Sequence, residues 1–163
     1  TGLILGAQAV GKDGIDKRID VLSVAQRAGL TVYDLQDLEL CYAPPFGSAR
    51  DVVNQAGLVA SNVMKGEEFI CHSEDLDDLS AQQILVDVRS EAEVDNMGMI
   101  PGAINIPVDD IRSNLDKLDK NKQILVYCQV GLRGHVASRL LTNLGYKVKN
   151  LSGGFKTWKL FNY

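Results

Sequence analysis

The sequence has few of the residues from which metal sites and disulfide frameworks are built. Its 163 residues include two histidines and three cysteines, and neither a CxxC nor an HExxH motif is present. Zinc and other transition metals need several such ligands at close spacing, so we expect no bound metal. An odd number of cysteines leaves at least one unpaired, which favours a reducing compartment and a cytoplasmic location.

Long apolar runs and an excess of positive charge are also missing. No apolar segment approaches the ~20 residues that a membrane span needs, and we therefore expect no membrane association. The formal net charge is −4, with 17 lysines and arginines scattered among 21 acidic residues. Because such a surface gains little from a phosphate backbone, we expect no nucleic-acid partner.

Residues 1–66 have the pattern of one short strand followed by helices. Residues 3–5 are apolar, and apolar residues then recur at helical spacing in residues 15–25. Thr31 with Asp34, and Ser48 with Asp51, match the capping box that begins a helix. The second box precedes an apolar stripe that is either ordinary core or a subunit interface, formed by Val52, Ala56, Val59 and Val63.

Residues 67–163 alternate short apolar strands with helices, which is typical of parallel α/β structure. The predicted strands are residues 69–72, 84–88, 103–106, 124–128 and 146–151. Ser90 with Glu93 marks a helix start between them, and Val136, Leu140, Leu141 and Leu144 form one helical stripe. We therefore predict an α/β fold, with a five-stranded parallel sheet flanked by helices after a mainly helical first domain.

The stretch YCQVGLRGH, residues 127–135, places a cysteine where ligands bind in α/β sheets, at the carboxyl end of a strand. Glycines in this loop permit torsions that turn successive backbone N–H groups inward, just before a helix begins near Gly134. Helix N-termini and inward amides stabilise a thiolate. We predict a catalytic Cys128 in a binding loop made of Gln129, Val130, Gly131, Leu132, Arg133 and Gly134.

Two long stretches of the second domain together resemble a rhodanese domain. They are ILVDVRSEAEVDNMGMIPGAINIP, residues 84–107, and ILVYCQVGLRGHVASRLLTNLGYKVKNLSGGFKTW, residues 124–158. The resemblance implies that Cys128 accepts sulfane sulfur as a persulfide, cradled by the loop amides. It also implies a sulfane-sulfur donor, such as polysulfide or a low-molecular-weight persulfide, and a thiol acceptor. We interpret Asp87, Arg89 and Glu93 as scaffold.

The loop allows three other interpretations besides that of a sulfurtransferase. Rhodanese-like phosphatases have a similar fold, but their loop is one residue longer than the four residues between Cys128 and Arg133. A non-catalytic interaction or regulatory module would keep the fold without turnover. His135 could form a dyad with Cys128, although its place in the first turn of a helix favours the pocket rim.

Residues 1–67 resemble the C-terminal dimerisation domain of flavin-dependent pyridine nucleotide-disulfide reductases, especially coenzyme A-disulfide and polysulfide reductases. The resemblance implies that residues 1–66 are part of that domain, fused to a rhodanese domain in residues 67–163. It further implies a homodimer, and FAD, NAD(P)H and, as a further candidate, coenzyme A in the full-length parent. The chain itself has no GxGxxG motif, so we expect no cofactor in it. Tyr42 matches a residue that reaches the partner's active site, and packing against the neighbouring prolines is the alternative.

Overall fold

A computed structural model describes residues 1–162 of the chain. The described chain divides into two compact units, Thr1–Glu67 and a second unit that begins at Glu68. Each unit has its own apolar core, and each is described by itself.

The first unit consists of three helices, α1 (Ile15–Arg27), α2 (Val32–Asp37) and α3 (Val52–Met64). The buried helix residues Ala25, Leu35 and Val53 form one small core together with Ile4, which precedes α1. The predicted strand at residues 3–5 is reduced to an isolated antiparallel bridge between Leu3 and Thr31. Leu5 is 81% exposed, so this segment contributes little to the core beyond Ile4.

One of the two predicted helix starts in this unit is confirmed and the other is wrong. Thr31 and Asp34 form the predicted capping box of α2. Helix α3, in contrast, begins three residues later than Ser48 would place it, with Asp51 as N-cap and Asn54 as its partner. Asp51 is held at that point because Arg18 Nη2 donates to its Oδ2 at 2.7 Å.

The apolar stripe predicted on α3 does not face the core. Val52 and Val59 are 60% and 53% exposed, and the buried residues of this helix are Val53, Asn54, Gly57 and Ser61. Gly57 explains the choice of face, since a Cβ there would lie 2.6 Å from the backbone nitrogen of Gln36. Small residues let α2 approach closely, which turns the valines outward. The core interpretation of the stripe is therefore wrong.

The second unit is a five-stranded parallel sheet, as predicted. Its strands are β1 (Ile70–Cys71), β2 (Gln83–Asp87), β3 (Ile104–Asn105), β4 (Gln123–Tyr127) and β5 (Lys147–Leu151). The spatial order β1-β5-β4-β2-β3 puts β4 at the centre. Parallel strands align their carboxyl ends, so residues that follow β2, β4 and β5 meet at one edge.

Helical segments cover both faces of this sheet. They are α4 (Glu91–Met97), α5 (Leu132–Asn143), α6 (Gly154–Phe161) and two 3₁₀ segments, Ser73–Leu76 and Val108–Lys117. Alternate residues of β4 enter different cores, with Ile124 and Val126 on one face and Leu125 and Tyr127 on the other. Because both faces are covered, the four residues of the central strand after Gln123 are buried.

The helix starts near the sheet edge follow local chemistry. Ser90 and Glu93 form the predicted capping box of α4. On α5 the predicted stripe is partly wrong, because Val136 is 51% exposed and Ala137 is buried in its place.

Nowhere in residues 1–162 does a helix have both the length and the apolar character needed to cross a membrane.

Candidate functional site

Cys128 lies immediately after β4, at the carboxyl edge of the sheet, and is 2% exposed. Its Sγ accepts a hydrogen bond from the backbone N–H of Gly131 at 3.1 Å. The chain between these two residues therefore folds back over the sulfur. A sulfur in this position meets the start of the next helix.

Gly131 is the N-cap of α5 and has a φ of 128°, a torsion that residues with a Cβ rarely adopt. The special torsion predicted for this glycine is confirmed. Leu132 and Arg133 follow as the first two residues of the helix. The backbone N–H groups of these two residues have no hydrogen-bond partner within the helix. The partial positive charge of a helix N-terminus thus lies beside the sulfur.

Two carbonyl groups of the cysteine loop are held away by helix α6. The N–H of Phe155 donates to the carbonyl of Cys128 at 2.8 Å, and the N–H of Lys156 donates to that of Gln129 at 3.1 Å. Gly154 allows this approach, because a Cβ there would lie 2.9 Å from the backbone nitrogen of Val130. Carbonyl oxygens that accept hydrogen bonds from α6 repel negative charge on the sulfur less strongly than free ones would.

Gly134 has a role different from the one predicted. It has no positive φ and lies inside α5, where it is buried. A Cβ at this position would clash with Oδ1 of Asn150, which comes from β5. The prediction of an unusual torsion at Gly134 is therefore wrong, and the glycine instead lets α5 pack against Asn150.

A polar group lies behind the loop, formed by the buried Glu68 and Asn150 and the partly exposed His135. His135 Nδ1 is 2.7 Å from Glu68 Oε2, and Asn150 Nδ2 donates to Glu68 Oε1 at 2.8 Å. Asn150 Nδ2 also lies 3.2 Å from the carbonyl oxygen of Gly131. The imidazole that was considered for a dyad with Cys128 is thus hydrogen-bonded to Glu68.

Arg133, the last predicted residue of the loop before Gly134, forms a two-point ion pair with Glu93. Arg133 Nη1 and Nη2 lie 2.6 and 2.7 Å from the two carboxylate oxygens. The hydrogen bonds from Arg133 lower the pKa of Glu93 to about 2. Glu93, interpreted as scaffold from the sequence, therefore contacts the loop directly while it caps α4.

Asp87 and Arg89 form a fully buried ion pair beneath the same loop. Arg89 Nη2 lies 2.6 Å from Asp87 Oδ2 and donates to the carbonyl of Gly98 at 2.7 Å. Burial opposes its charge, but the hydrogen bonds to Asp87 raise the pKa of Arg89. Its guanidinium also lies over the Phe155 ring, with Cζ 4.0 Å from the centroid.

Three residues at the rim of the loop, Gln129, Val130 and Leu132, carry no charge. Val130 and Leu132 are 59% and 73% exposed, and Gln129 Nε2 lies 3.9 Å from the sulfur of Met97. Gln129 also accepts a hydrogen bond from Arg89 at 3.4 Å. The side chains of Gln129, Val130 and Leu132 thus offer apolar and amide contacts. Arg133 is paired with Glu93 and also interacts with Cys128, and both interactions raise the pKa of Arg133.

The remaining candidate residues lie elsewhere. Tyr42 is in the first unit and 55% exposed, so the neighbouring prolines leave much of it uncovered. Cys41 is exposed, and Cys71 is buried in the sheet, where burial raises its pKa to about 11. Among residues 1–162 no group of three or more His, Cys, Asp or Glu is arranged to hold a metal ion.

In the second unit, the cysteine directly follows the central strand of a five-stranded parallel sheet, and the next helix has a glycine as its N-cap. This is the arrangement of a rhodanese-like protein. Residues 72–160 match the family described as Rhodanese-like domain, and the chain belongs to that family. It is similar to the coenzyme A disulfide reductase of Staphylococcus aureus (strain bovine RF122 / ET3-1), with 53% identity over 57 residues. That match covers 35% of this chain and 13% of the relative.

Two solved structures are similar over 91% of the chain. The structure of reduced Bacillus anthracis CoADR-RHD is 48% identical, with a TM-score of 0.86 and 27% of that chain covered. The structure of an NAD-dependent persulfide reductase from A. fulgidus is 38% identical, with a TM-score of 0.78 and 26% covered. This chain therefore spans about a quarter of the length of these solved relatives.

Proposed function

We propose that this chain is a sulfurtransferase module that carries sulfane sulfur as a persulfide on Cys128. The hydrogen bond from Gly131 N–H to Cys128 Sγ, at 3.1 Å and at the start of α5, is the observation that carries the proposal. Because two loop carbonyls are bound by α6, the space beside the sulfur favours negative charge. The extra sulfur of a persulfide would occupy that space.

The proposed reaction has two balanced steps. The Cys128 thiolate attacks the outer sulfur of a donor R–S–SH, so that a bond from Sγ to sulfur forms, the donor's S–S bond breaks, and R–S⁻ leaves. A second thiolate then attacks the outer sulfur of the Cys128 persulfide, takes it as a new persulfide, and releases the Cys128 thiolate. No net oxidant or reductant is consumed, and the mechanism is of the ping-pong type.

The uncharged side chains of the rim support a donor whose carrier part is itself uncharged, such as an organic polysulfide or a low-molecular-weight persulfide. Thiosulfate is a dianion, whose binding is favoured by free lysine or arginine groups. Gln129, Val130 and Leu132 carry no charge, and the guanidinium of Arg133 is paired with Glu93. The acceptor is a thiol, either a small molecule or a group of an attached protein.

We further propose that the chain belongs to a larger reductase that acts on coenzyme A disulfide, persulfide or polysulfide. Similarity to a coenzyme A disulfide reductase and to an NAD-dependent persulfide reductase supports this assignment. The parent would use FAD and NAD(P)H, with coenzyme A as a further candidate, and we assign none of these groups to residues of this chain. Three free cysteines support a reducing, cytoplasmic compartment.

We also propose that the first unit takes part in a homodimer, in which Tyr42 contributes to the partner's reductase site. The exposure of Tyr42 and of the valines on α3 supports this proposal. In that arrangement the exposed apolar groups would be covered by other parts of the parent or by a second subunit.

Intact-mass measurement tests the sulfur chemistry directly. The protein and its Cys128→Ser variant are treated with polysulfide, desalted, and weighed with and without cyanide, which removes sulfane sulfur. We expect the mass of an added sulfur that requires Cys128 and disappears with cyanide. An unmodified Cys128 in folded protein would instead support a non-catalytic interaction module.

A further inference from the structure

The orientation of the Gly131 peptide groups affects which backbone groups of the loop face the Cys128 sulfur. Gly131 is fixed on both sides, since its N–H donates to Cys128 Sγ and its carbonyl accepts the N–H of His135 at 2.8 Å. A glycine can rotate its peptide groups at little steric cost. Rotation of the peptide group between Gly131 and Leu132 would turn the carbonyl oxygen toward the sulfur and disturb the adjoining Gly131 N–H, which donates to Cys128 Sγ.

Asn150 supplies a second hydrogen bond to this carbonyl. Its Nδ2 lies between two acceptors, Gly131 O at 3.2 Å and Glu68 Oε1 at 2.8 Å. Because both neighbours can accept but not donate, the amide nitrogen must face them, and the orientation of the side chain is determined. Asn150 is 6% exposed and Glu68 is 4% exposed, so water does not readily replace either contact.

The burial of Asn150 is energetically unfavourable. Its Oδ1 is buried and has no hydrogen-bond partner among residues 1–162, and burying an unpaired polar atom is unfavourable. A residue without a Cβ, Gly134, is required opposite this oxygen. Glu68 in turn is a buried carboxylate, which His135 and Asn150 partner from α5 and β5. These costs are understandable if the Nδ2 contacts have a function.

We infer that Asn150, oriented by Glu68, is a positioning residue that holds the Gly131 carbonyl away from the sulfur and so keeps the Gly131 N–H directed at it. The inference rests on the proposed function for its purpose, since a persulfide carrier needs a site for an anionic sulfur. Neither residue touches the reacting atoms. Both act through the backbone of Gly131.

The test measures the rate of Cys128 alkylation by iodoacetamide as a function of pH, in three variants. Asn150→Leu keeps the shape of the side chain and removes the donor. Glu68→Met removes the acceptor that orients Asn150, whereas Glu68→Gln is isosteric and keeps an oxygen facing Asn150 Nδ2. Peptide mass spectrometry separates Cys128 from Cys41 and Cys71, so that each thiol is followed by itself.

We expect Asn150→Leu and Glu68→Met to slow the alkylation of Cys128 at neutral pH by about three- to tenfold, the effect of one hydrogen bond. The pH midpoint of the reaction should rise in both variants, because the thiolate loses the hydrogen bond from the Gly131 N–H. Glu68→Gln should remain close to the unaltered protein. This rescue would separate orientation of Asn150 from a general need for charge at position 68.

The matched control is Asn54→Leu in the first unit. Asn54 is 5% exposed, and its Nδ2 likewise donates to two acceptors, the carbonyls of Leu35 and Leu38. This variant should lose stability in urea without a change in the pH profile of Cys128. A folded Asn150→Leu protein with an unchanged profile, or a Glu68→Gln protein as slow as Glu68→Met, would overturn the inference.

Alkylation does not depend on sulfur transfer, so the two proposals fail separately. A protein whose alkylation profile shifts as expected, but whose Cys128 gains no sulfur from polysulfide, would retain the positioning role and reject the proposed function. Sulfur uptake that is equal in Asn150→Leu and the unaltered protein, together with an unchanged alkylation profile, would do the reverse.

Discussion

Glu93 binds both terminal nitrogens of Arg133, at 2.6 and 2.7 Å, although the two residues lie on different helices and are 40 residues apart. Glu93 is held in turn by Ser90, whose backbone N–H and hydroxyl both donate to its Oε2. The first turn of α4 therefore places a negative charge on the one arginine of the cysteine loop. This pairing reduces the positive charge that an incoming anion would meet.

Glu93→Gln should make anionic donors more effective. Removal of the carboxylate frees the guanidinium of Arg133, so kcat/KM for thiosulfate should rise relative to that for an uncharged organic polysulfide, by up to about fivefold for a partly exposed pair. Steady-state assays with both donors measure the ratio. Glu91→Gln, on the same helical turn, is the control for loss of one negative charge. An equal change with both donors would mean that the pair does not affect donor choice.

The same ion pair should make stability depend on pH. The pKa of Glu93 is lowered from 4.5 to about 2 in the folded protein, mainly by the hydrogen bonds from Arg133. A lowered folded pKa means that the contribution is fully present above the unfolded value and is lost as pH falls from about 4.5 toward 2. The urea midpoint of Glu93→Gln should thus be lower than that of the unaltered protein at pH 6, and the gap should narrow below pH 4. A gap that is constant with pH would contradict this assignment.

Arg89→Met should be among the most destabilising substitutions in the second unit. Both side chains of the Asp87–Arg89 pair are fully buried, so removal of one leaves an uncompensated charge and costs about 3–5 kcal/mol. Urea unfolding followed by circular dichroism measures the loss, with the exposed Arg112→Met as control. The double variant Asp87→Leu with Arg89→Met should be more stable than Arg89→Met alone, since no buried charge remains unpaired. Equal stability of Arg89→Met and Arg112→Met would show that the pair contributes little.

The sequence predicts those parts of the molecule that depend on near neighbours. The strands and the capping boxes at Thr31 and Ser90 follow from residues within a few positions, and so does the special torsion of Gly131. The face of α3 could not be predicted in this way, because it depends on the close approach of Gln36 to Gly57. Helical periodicity alone does not distinguish the exposed valines of α3 from residues that face the core.

The polar group behind the loop could not be predicted from the sequence either. Glu68 and Asn150 are 82 residues apart and meet because β5 lies between β1 and β4. Neither residue belongs to a local motif. Gly134, a glycine inside a helix, is the signal in the sequence that relates to this group. The loop pattern predicts an unusual backbone torsion for it, whereas the structure shows that it allows close packing against Asn150.

The exposed valines of α3 make self-association testable. Val52, Val59 and Val63 lie on one side of the helix and are 60%, 53% and 36% exposed. If this face covers a second copy, Val59→Lys should weaken the dimer by about tenfold or more, since burial of a valine side chain contributes about 1.5–3 kcal/mol. Sedimentation velocity over a range of protein concentrations measures the dissociation constant. Val24→Lys is the control, because Val24 is 69% exposed on α1 and carries the same change. A monomer at every concentration would reject a dimer through this chain, and equal weakening by both lysines would place the contact elsewhere in the first unit.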